Sequence, residues 1–595
     1  MIHTYIFHSS FLSVTSEDMI VMKTCVFIVV LLNQLIFVQN KIFNVENYGA
    51  YPNDNIDDFE GIQMAIDDAI SYGLNSTVSF GVGIYNLSST ITVRNATNLT
   101  VIGQGMDKTF LIGNAPIQIF LFVYCQGTTV SSLAIDFDPL PFTAGRVVNV
   151  NNTFIDIRIQ SPHRADVGQQ VDGILRYDTR QMRPAYGLNT YQWYRGASIA
   201  ANTSLVSPGI LRLPIAHPSA FLLEDPIVVF YPRLNHAIYI LDVVDFTVDS
   251  ITLYTSWCMA VVSLRAKRLT ISNIHVLRRD DRWASSIADC LHFADSRDYI
   301  NIFNSKCEAM GDDGLNVHAV YFNVTRIVNS TSLLIQSMGA GDKLHVGAGT
   351  HLQFSTNDKP FTTYTIAMIT SYEMITSNSA VFVFDRAINV SVGDRTCVAD
   401  TPRLTIRNFT VANNRARGVL LETSNIDMRQ SLFNRTSGPA VYFQPSAFWN
   451  EGPPARNVTL TENVYINCNE GIAQHAGFII ALPVPTQLVP VVHDVNITSS
   501  SFYFGEYSQG LLQSFNGENF LISGNYIETN LSTPLISLCN SQNITASNNT
   551  LVNKQFKIDQ YYTLNGTYPC QMNLTDFIDL PPSAFNSSFP PPVFL

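Results

Sequence analysis

"FTVDSITL" (residues 246–253) and "LTISNIHV" (269–276) are short β-branched runs of one pattern, set 23 positions apart. The pattern returns in "LTIRNFTV" (404–411) and "IDMRQSLF" (426–433). It recurs in "VNITSSSF" (495–502), "FLISGNYI" (520–527) and "NITASNNT" (543–550). Each run is closed by Asn, Gly, Ser or Asp. Self-similar strands at intervals of 22–25 residues predict a parallel β-helix, in which one period is one rung and each strand stacks on its equivalent. A β-sandwich supplies short strands but no such period. The expected fold is therefore all-β: a right-handed parallel β-helix with rungs from about 85 to 560.

Two segments break the period. "GRVVNVNNTFIDIRI" and "EDPIVVFYP" fall in 140–233, and "FNVTRIVNSTSLLIQ" and "AVFVFD" fall in 320–400. Both read as antiparallel strands with turns, so each is expected to be a small β-barrel-like insertion that walls a cleft. Upstream, "VENYGAYPNDNIDDFEGIQMAIDDAISYG" predicts a short amphipathic helix through Ile70, with Asp57 and Asp58 placed to cap it. That helix would cover the open first rung, whose strand edges are otherwise unpaired. The layout is then an export signal over 1–40, the cap and first rungs over 41–139, an insertion over 140–233, and rungs over 234–319. A second insertion over 320–400, rungs over 401–560 and a tail over 561–595 complete the 595 residues.

The formal net charge of −12 disfavours nucleic acid and anionic membranes as partners, and makes a polyanionic substrate less natural. Lys23 precedes "TCVFIVVLLNQLIFV", an apolar run too short for a comfortable span, with Met22 as an alternative start. A cleaved signal is expected, leaving no stable membrane span; an uncleaved signal anchor is the alternative. About nineteen Asn-x-Ser/Thr sequons from Asn75 to Asn586 suit a secreted glycoprotein. Outside the signal lie eight cysteines (125, 258, 290, 307, 397, 468, 539 and 570), an even number that fits disulfides without fixing their pairing.

"EAMGDDGLNVH" (308–318) sets Asp312 and Asp313 side by side in an apolar, β-prone stretch. Adjacent carboxylates repel, so a proton, a cation or a substrate must repay the arrangement. Asp289 lies 23 residues earlier, one rung away, so three carboxylates converge from two rungs. Such a cluster suits cleavage of a glycosidic bond: one carboxyl group stays protonated and donates to the leaving oxygen while the others activate water. Gly311 is expected to bend the backbone so that both neighbouring aspartates reach one groove. Asn316 and His318 alternate with Val317 and face the same way, as candidates for sugar contact or for orienting the carboxylates, and His292 is similar. "RRDDR" (278–282) reads as a solvated loop with internal ion pairs.

The order Asp-x-x-His followed one rung later by Gly-Asp-Asp resembles the inverting polysaccharide hydrolases of the β-helix superfamily. The Gly-His-Gly and Arg-x-Lys motifs of polygalacturonases are absent downstream. The sequence more closely resembles glycoside hydrolase family 110, α-1,3-galactosidases acting on terminal galactose. "SSIADCLHF" is similar to its Ser-Thr-x-Asp-Gly-x-His-Phe, and "GDDGLNVHAVY" to its Asp-Asp-x-x-Asn-Val-His. "NNRARGVLLET" resembles its Arg-Ala-Arg-Gly rung, and "SGPAVYFQPSAFWNEGP" the rung ending in aromatic-x-Glu-x-Gly. The resemblance runs from "VENYGAYPNDNIDD" to about "VYINCNEG". It implies Asp312 as general acid, Asp289 and Asp313 as the pair that positions and deprotonates water, and neither metal nor cofactor. Cys290 replaces the usual glycine, and Glu422 stands where a small polar residue is common.

Arg415 and Arg417 are candidates for binding substrate hydroxyls or lowering a carboxylate pKa. Trp449 and Glu451 are candidates for stacking a sugar ring and holding its hydroxyls. The expected activity is release of terminal α-linked galactose from an oligosaccharide or glycoconjugate by a secreted, inverting exo-glycosidase. Two alternatives stand beside it: a polysaccharide lyase with carboxylate-held Ca²⁺, or polygalacturonase-like enzyme, on the same fold, and a non-catalytic glycan-binding β-helix.

Overall fold

The computed structural model describes residues 40–553, apart from 74, 188–192, 196–201, 216–217, 339–343, 345, 472–476, 484–488, 509 and 531–534, together with 567–568. The expected export signal, all but its last residue, and most of the 561–595 tail lie outside the described residues.

The body is a right-handed parallel β-helix. One 21-stranded sheet and one 12-stranded sheet run its length. Phe246 pairs in parallel with Leu269, 23 positions on, as the period predicts. Leu404 pairs with Ile426, Val495 with Phe520, and Phe520 with Ile544, all within the expected spacing. Other rungs are longer. Leu269 meets Ile300, Ile426 meets Val458, and Val458 meets Val495. The register along the strands is kept while the turns absorb the extra residues, because only the strands must stack. The coil also begins earlier than expected, with Lys41–Asn44 paired in parallel to Ser76–Ser79.

Long strands such as Val244–Leu253 and Lys267–Val276 turn a corner part-way along. Ser250, Asn273, Asn304 and Asn408 hold positive φ there, and Asn457, Asn519 and Asn543 hold it near the starts of their strands. Asn tolerates this left-handed geometry better than most residues, which is why polar residues punctuate each run. The side chains also ladder, Asn408 Nδ2 donating to Asn304 Oδ1 at 3.0 Å and Asn543 Nδ2 to Asn519 Oδ1 at 3.1 Å. Inside the coil, Tyr465 is sandwiched between Phe433 (5.4 Å between centroids) and Phe502 (4.6 Å), close to the spacing of neighbouring strands.

The helix is Phe59–Tyr72, and it buries Ile62, Ala65, Ile66 and Ala69 over the first rung. Asp58 occupies the N-cap, but its carboxylate makes no cap bond and instead accepts the Asn86 N–H of the neighbouring strand. Asp57 accepts the Phe59 N–H at 3.3 Å and the Ser88 N–H at 3.0 Å. Asp57 and Asp58 therefore tie the cap to the coil more than they cap the helix.

The segment from Phe142 to Phe230 forms an eight-stranded antiparallel sheet, and Phe322 to Val398 closes into a six-stranded barrel. "RRDDR" exposes Asp280 and Asp281 and keeps one internal pair, Arg279 with Asp280 at 3.8 Å, but its arginines also reach other rungs. Arg279 and Arg282 both bridge the buried Asp136 at 2.8 Å, and Arg278 bridges Glu308 at 2.8 Å, so the loop is bolted across rungs. Cys290 and Cys307 form a disulfide, whereas Cys125, Cys397 and Cys468 are buried thiols. Among the described residues, no helix is long and apolar enough to cross a membrane.

Candidate active site

Three consecutive turns, each leading into a strand of the 12-stranded sheet, supply the site. Asp289 precedes Leu291–Ala294, Asp312 and Asp313 precede Leu315–Val320, and Arg415 and Arg417 precede Val419–Leu421. Leu291 pairs with Leu315, so the rung here is 24 residues and Asp289 stands opposite Asp313, not Asp312. The Asp313 N–H donates to Asp289 Oδ1 at 3.3 Å. Gly311 is needed for closeness: its φ is not left-handed, but an added Cβ would lie 2.4 Å from the Ile287 carbonyl oxygen. Ala309 takes the positive φ in this turn.

One oxygen from each of the three aspartates lies within 4.8 Å of the others. The 6.5–9.5 Å separation typical of an inverting pair is therefore not met between Asp289 and Asp312. The cluster is also buried beneath its neighbours, not laid open on the outer face; Asp289 is 5% exposed and Asp313 1%. Burial of three carboxylates is tolerated because three arginines face them. Arg233 Nη2 meets Asp312 Oδ2 at 2.6 Å, and Arg415 Nη2 bridges Asp312 Oδ1. Arg417 Nη2 meets Asp313 Oδ2 at 2.8 Å, and its backbone N–H donates to Asp313 Oδ1 at 2.8 Å. A divalent ion would compete with these guanidinium groups for the same oxygens, so this donor set fits arginine better than a metal.

The electrostatics separate the three acids. Burial pulls the Asp312 carboxyl up, but Arg415, Arg233 and Arg417 outweigh it and hold it far below the usual carboxylate range. Asp289 is pushed up to about 7 by burial and by the Asp312 charge. Asp313 is raised by burial, with Asp312 and Asp289 adding to the rise against Arg417. With arginines on both of its oxygens, Asp312 favours the carboxylate over the protonated acid that the family resemblance implies. The cause is the pair of arginines, one of which enters from the end of the first insertion.

His292 Nδ1 lies 2.8 Å from Asp289 Oδ2, and His292 Nε2 lies 3.1 Å from His318 Nε2. Both rings are buried. Glu451 pairs across the antiparallel bridge to Val320, and its Oε1 lies 3.9 Å from His318 Nε2. Asn316 is buried in register with His292, and its Oδ1 has no partner among the described residues. Trp449 sits two residues from Glu451, 43% exposed and edge-on to Phe448; no contact joins it to the aspartates among the described residues.

Sequence reasoning missed Arg233, which has no motif and lies 79 positions from Asp312, at the end of the first insertion. It noted Glu422 without giving it a role. That side chain is fully buried, Oε1 accepts the Gln444 N–H at 3.3 Å, and Oε2 has no partner among the described residues. Burial, reinforced by Glu451, raises its pKa well above the usual range. Cys290, the other departure, forms the disulfide to Cys307 and fixes the turn that carries Asp289.

No protein-family model matches the chain. It is similar to alpha-1,3-galactosidase B of Bacteroides thetaiotaomicron, 22% identical over 560 residues that cover 84% of this chain and 88% of that protein. It is likewise 22% identical to alpha-1,3-galactosidase A of Shewanella woodyi over 484 residues, covering 72% of this chain and 76% of that one. Among solved structures, the A-module of a mannuronan C-5 epimerase from Azotobacter vinelandii aligns with a TM-score of 0.40 and 12% identity, over 86% of this chain and 97% of that one. These similarities relate the chain distantly to carbohydrate-active enzymes.

Proposed function

We propose that this protein is a secreted exo-glycoside hydrolase that releases terminal α-linked galactose with inversion of anomeric configuration. The observation that carries the reading is the unequal surroundings of three carboxylates in one buried cluster, with arginines on Asp312 and Asp313 and a histidine on Asp289. Arg233 and Arg415 hold Asp312 as an anion, and the two contacts of Arg417 favour an ionised Asp313 against the burial that raises it. Asp289 is then the proton donor to the leaving oxygen. Asp313 takes a proton from the attacking water, and Asp312 stays anionic beside the positive charge that develops on the sugar.

The short spacing between carboxylates raises the competing possibility of a covalent intermediate and retention. The occupancy of the oxygens argues against it. Both oxygens of Asp312 are held by arginines and both of Asp313 by Arg417, so neither presents an unencumbered nucleophile. A glycosyl ester there would also leave guanidinium groups facing a neutral carbonyl. Water attack avoids that cost.

A Ca²⁺-dependent lyase fits less well, because it needs carboxylates open to a cation and an arginine released to act as base. The named relatives support galactose as the sugar, and the Cys290–Cys307 disulfide supports an oxidising compartment. The test is to offer the purified protein a panel of glycans with terminal α- or β-linked sugars and assay the free monosaccharide. Galactose from α-1,3-linked termini alone is expected. Binding without release would leave a glycan-binding protein, and an unsaturated, ultraviolet-absorbing product would identify a lyase.

A further inference from the structure

We propose that His292 and His318 form a tautomer-locked pair that keeps a proton on Asp289, with the direction of the hydrogen bonds set by the backbone carbonyl of Ala319. The inference rests on the hydrolase reading only for its catalytic consequence.

The argument is one of counting donors along a buried chain. His318 Nδ1 lies 3.2 Å from the Ala319 carbonyl oxygen, which can only accept, so Nδ1 carries the hydrogen. A neutral His318 then has a bare Nε2, and the ring nitrogen 3.1 Å away, His292 Nε2, must donate to it. A neutral His292 that donates from Nε2 has a bare Nδ1. Its partner at 2.8 Å is Asp289 Oδ2, which must therefore be an O–H. An ionised Asp289 would require one of two buried rings to become an imidazolium. Burial opposes this, lowering His292 to about 4 and His318 below its ordinary range.

The surrounding charges do not reverse the order. Asp289 is faced by Asp312, which favours its proton, and by Arg233, Arg417 and the backbone N–H of Asp313, which oppose it. His292 feels Glu451 and Asp312 and neighbours His236. His318 feels Glu451 and Asp295, the nearest groups that could stabilise a cation there, but Glu451 stands 3.9 Å away and its attraction is outweighed by burial.

During turnover the Asp289 O–H bond breaks toward the leaving oxygen and its electron pair stays on the carboxylate. The attacking water gives its proton to Asp313, whose oxygen lies within 4.8 Å of Asp289, and that proton returns to Asp289 to restore the resting chain. The O–H is directed at His292, so a leaving oxygen must displace that bond. His292 and His318 are positioning residues, since they act through Asp289.

The direct test is nitrogen-15 histidine NMR of the full chain at neutral pH. The expected result is His318 protonated on Nδ1, His292 protonated on Nε2, and neither ring cationic. Asp289→Asn should preserve both tautomers, because its amide N–H replaces the O–H as donor to His292. Finding His292 protonated on Nδ1, or either ring as an imidazolium at neutral pH, would overturn the proposal. Expected tautomers in a protein that releases no sugar would refute the hydrolase reading and leave this inference standing. Sugar release with the opposite tautomers would do the reverse.

Discussion

Asp312, held by Arg233 and Arg415, and Asp289, backed by His292, stand within 4.8 Å of each other yet have opposite surroundings, cationic for one and a histidine for the other. That contrast predicts which variant spares which substrate. Asp289→Asn should lower turnover of sugars with poor leaving groups by roughly 10²–10⁴-fold. It should affect activated aryl glycosides far less, because their leaving groups need little protonation. Asp313→Asn should impair both substrate types. Were Asp312 the acid, the sparing pattern would move to Asp312→Asn, and steady-state kinetics on the two substrate classes separate the cases. The pH dependence follows with its sign. Asp289 is raised to about 7, so activity on unactivated substrates should fall as pH rises through that value and the proton is lost. Because the native carboxyl binds its proton more tightly than the unfolded one, native stability should also decline as pH climbs from about 4 toward that value. Rung arithmetic was enough to bring Asp289, Asp312 and Asp313 together, since a stacked strand repeats its neighbours' positions. Their roles were not legible. Those depend on Arg233, which nothing local announces, and on donor directions that only side-chain geometry reveals.

The turns, rather than the strands, are where this coil is specialised. Strands were readable from β-branched runs and their spacing, and the Asn and Ser corners from the residues that tolerate positive φ. Rung length was less readable, because a turn can absorb residues without disturbing the stack, as between Ile426 and Val458. The turn bearing Asp312 is constrained by close approach. Gly311→Ala would force a Cβ to 2.4 Å from the Ile287 oxygen, and a backbone shift there should cost about 1–3 kcal/mol and displace the aspartates. Activity should therefore fall more than the midpoint of thermal unfolding suggests. The Cys290–Cys307 disulfide closes a separation of 17 residues beside Asp289. Replacing both cysteines with serine should cost about 3 kcal/mol of stability in the chain-entropy model. Denaturant unfolding measures the loss, and an unchanged midpoint would show that the bridge does not hold this turn.

Across the whole molecule, one coil brings together an arginine from the end of the first insertion, aspartates from two rungs and arginines from a third. Fold class was legible because the period repeats along most of the chain. The Asp57 and Asp58 contacts were not, since their partners lie on strands that sequence spacing alone does not locate. The described sequon asparagines are exposed or half-buried, so a secreted product should carry N-glycans, and enzymatic deglycosylation of culture medium should lower its apparent mass. An unglycosylated cytosolic protein would contradict the export reading. The central claim is that water, and not a carboxylate, attacks the sugar within this closely spaced cluster. Proton NMR of an α-1,3-galactosyl substrate during the first minutes of reaction tests it most directly. The account predicts that β-galactose appears first and then mutarotates; first appearance of α-galactose would mean a covalent intermediate on one of the aspartates and would contradict it.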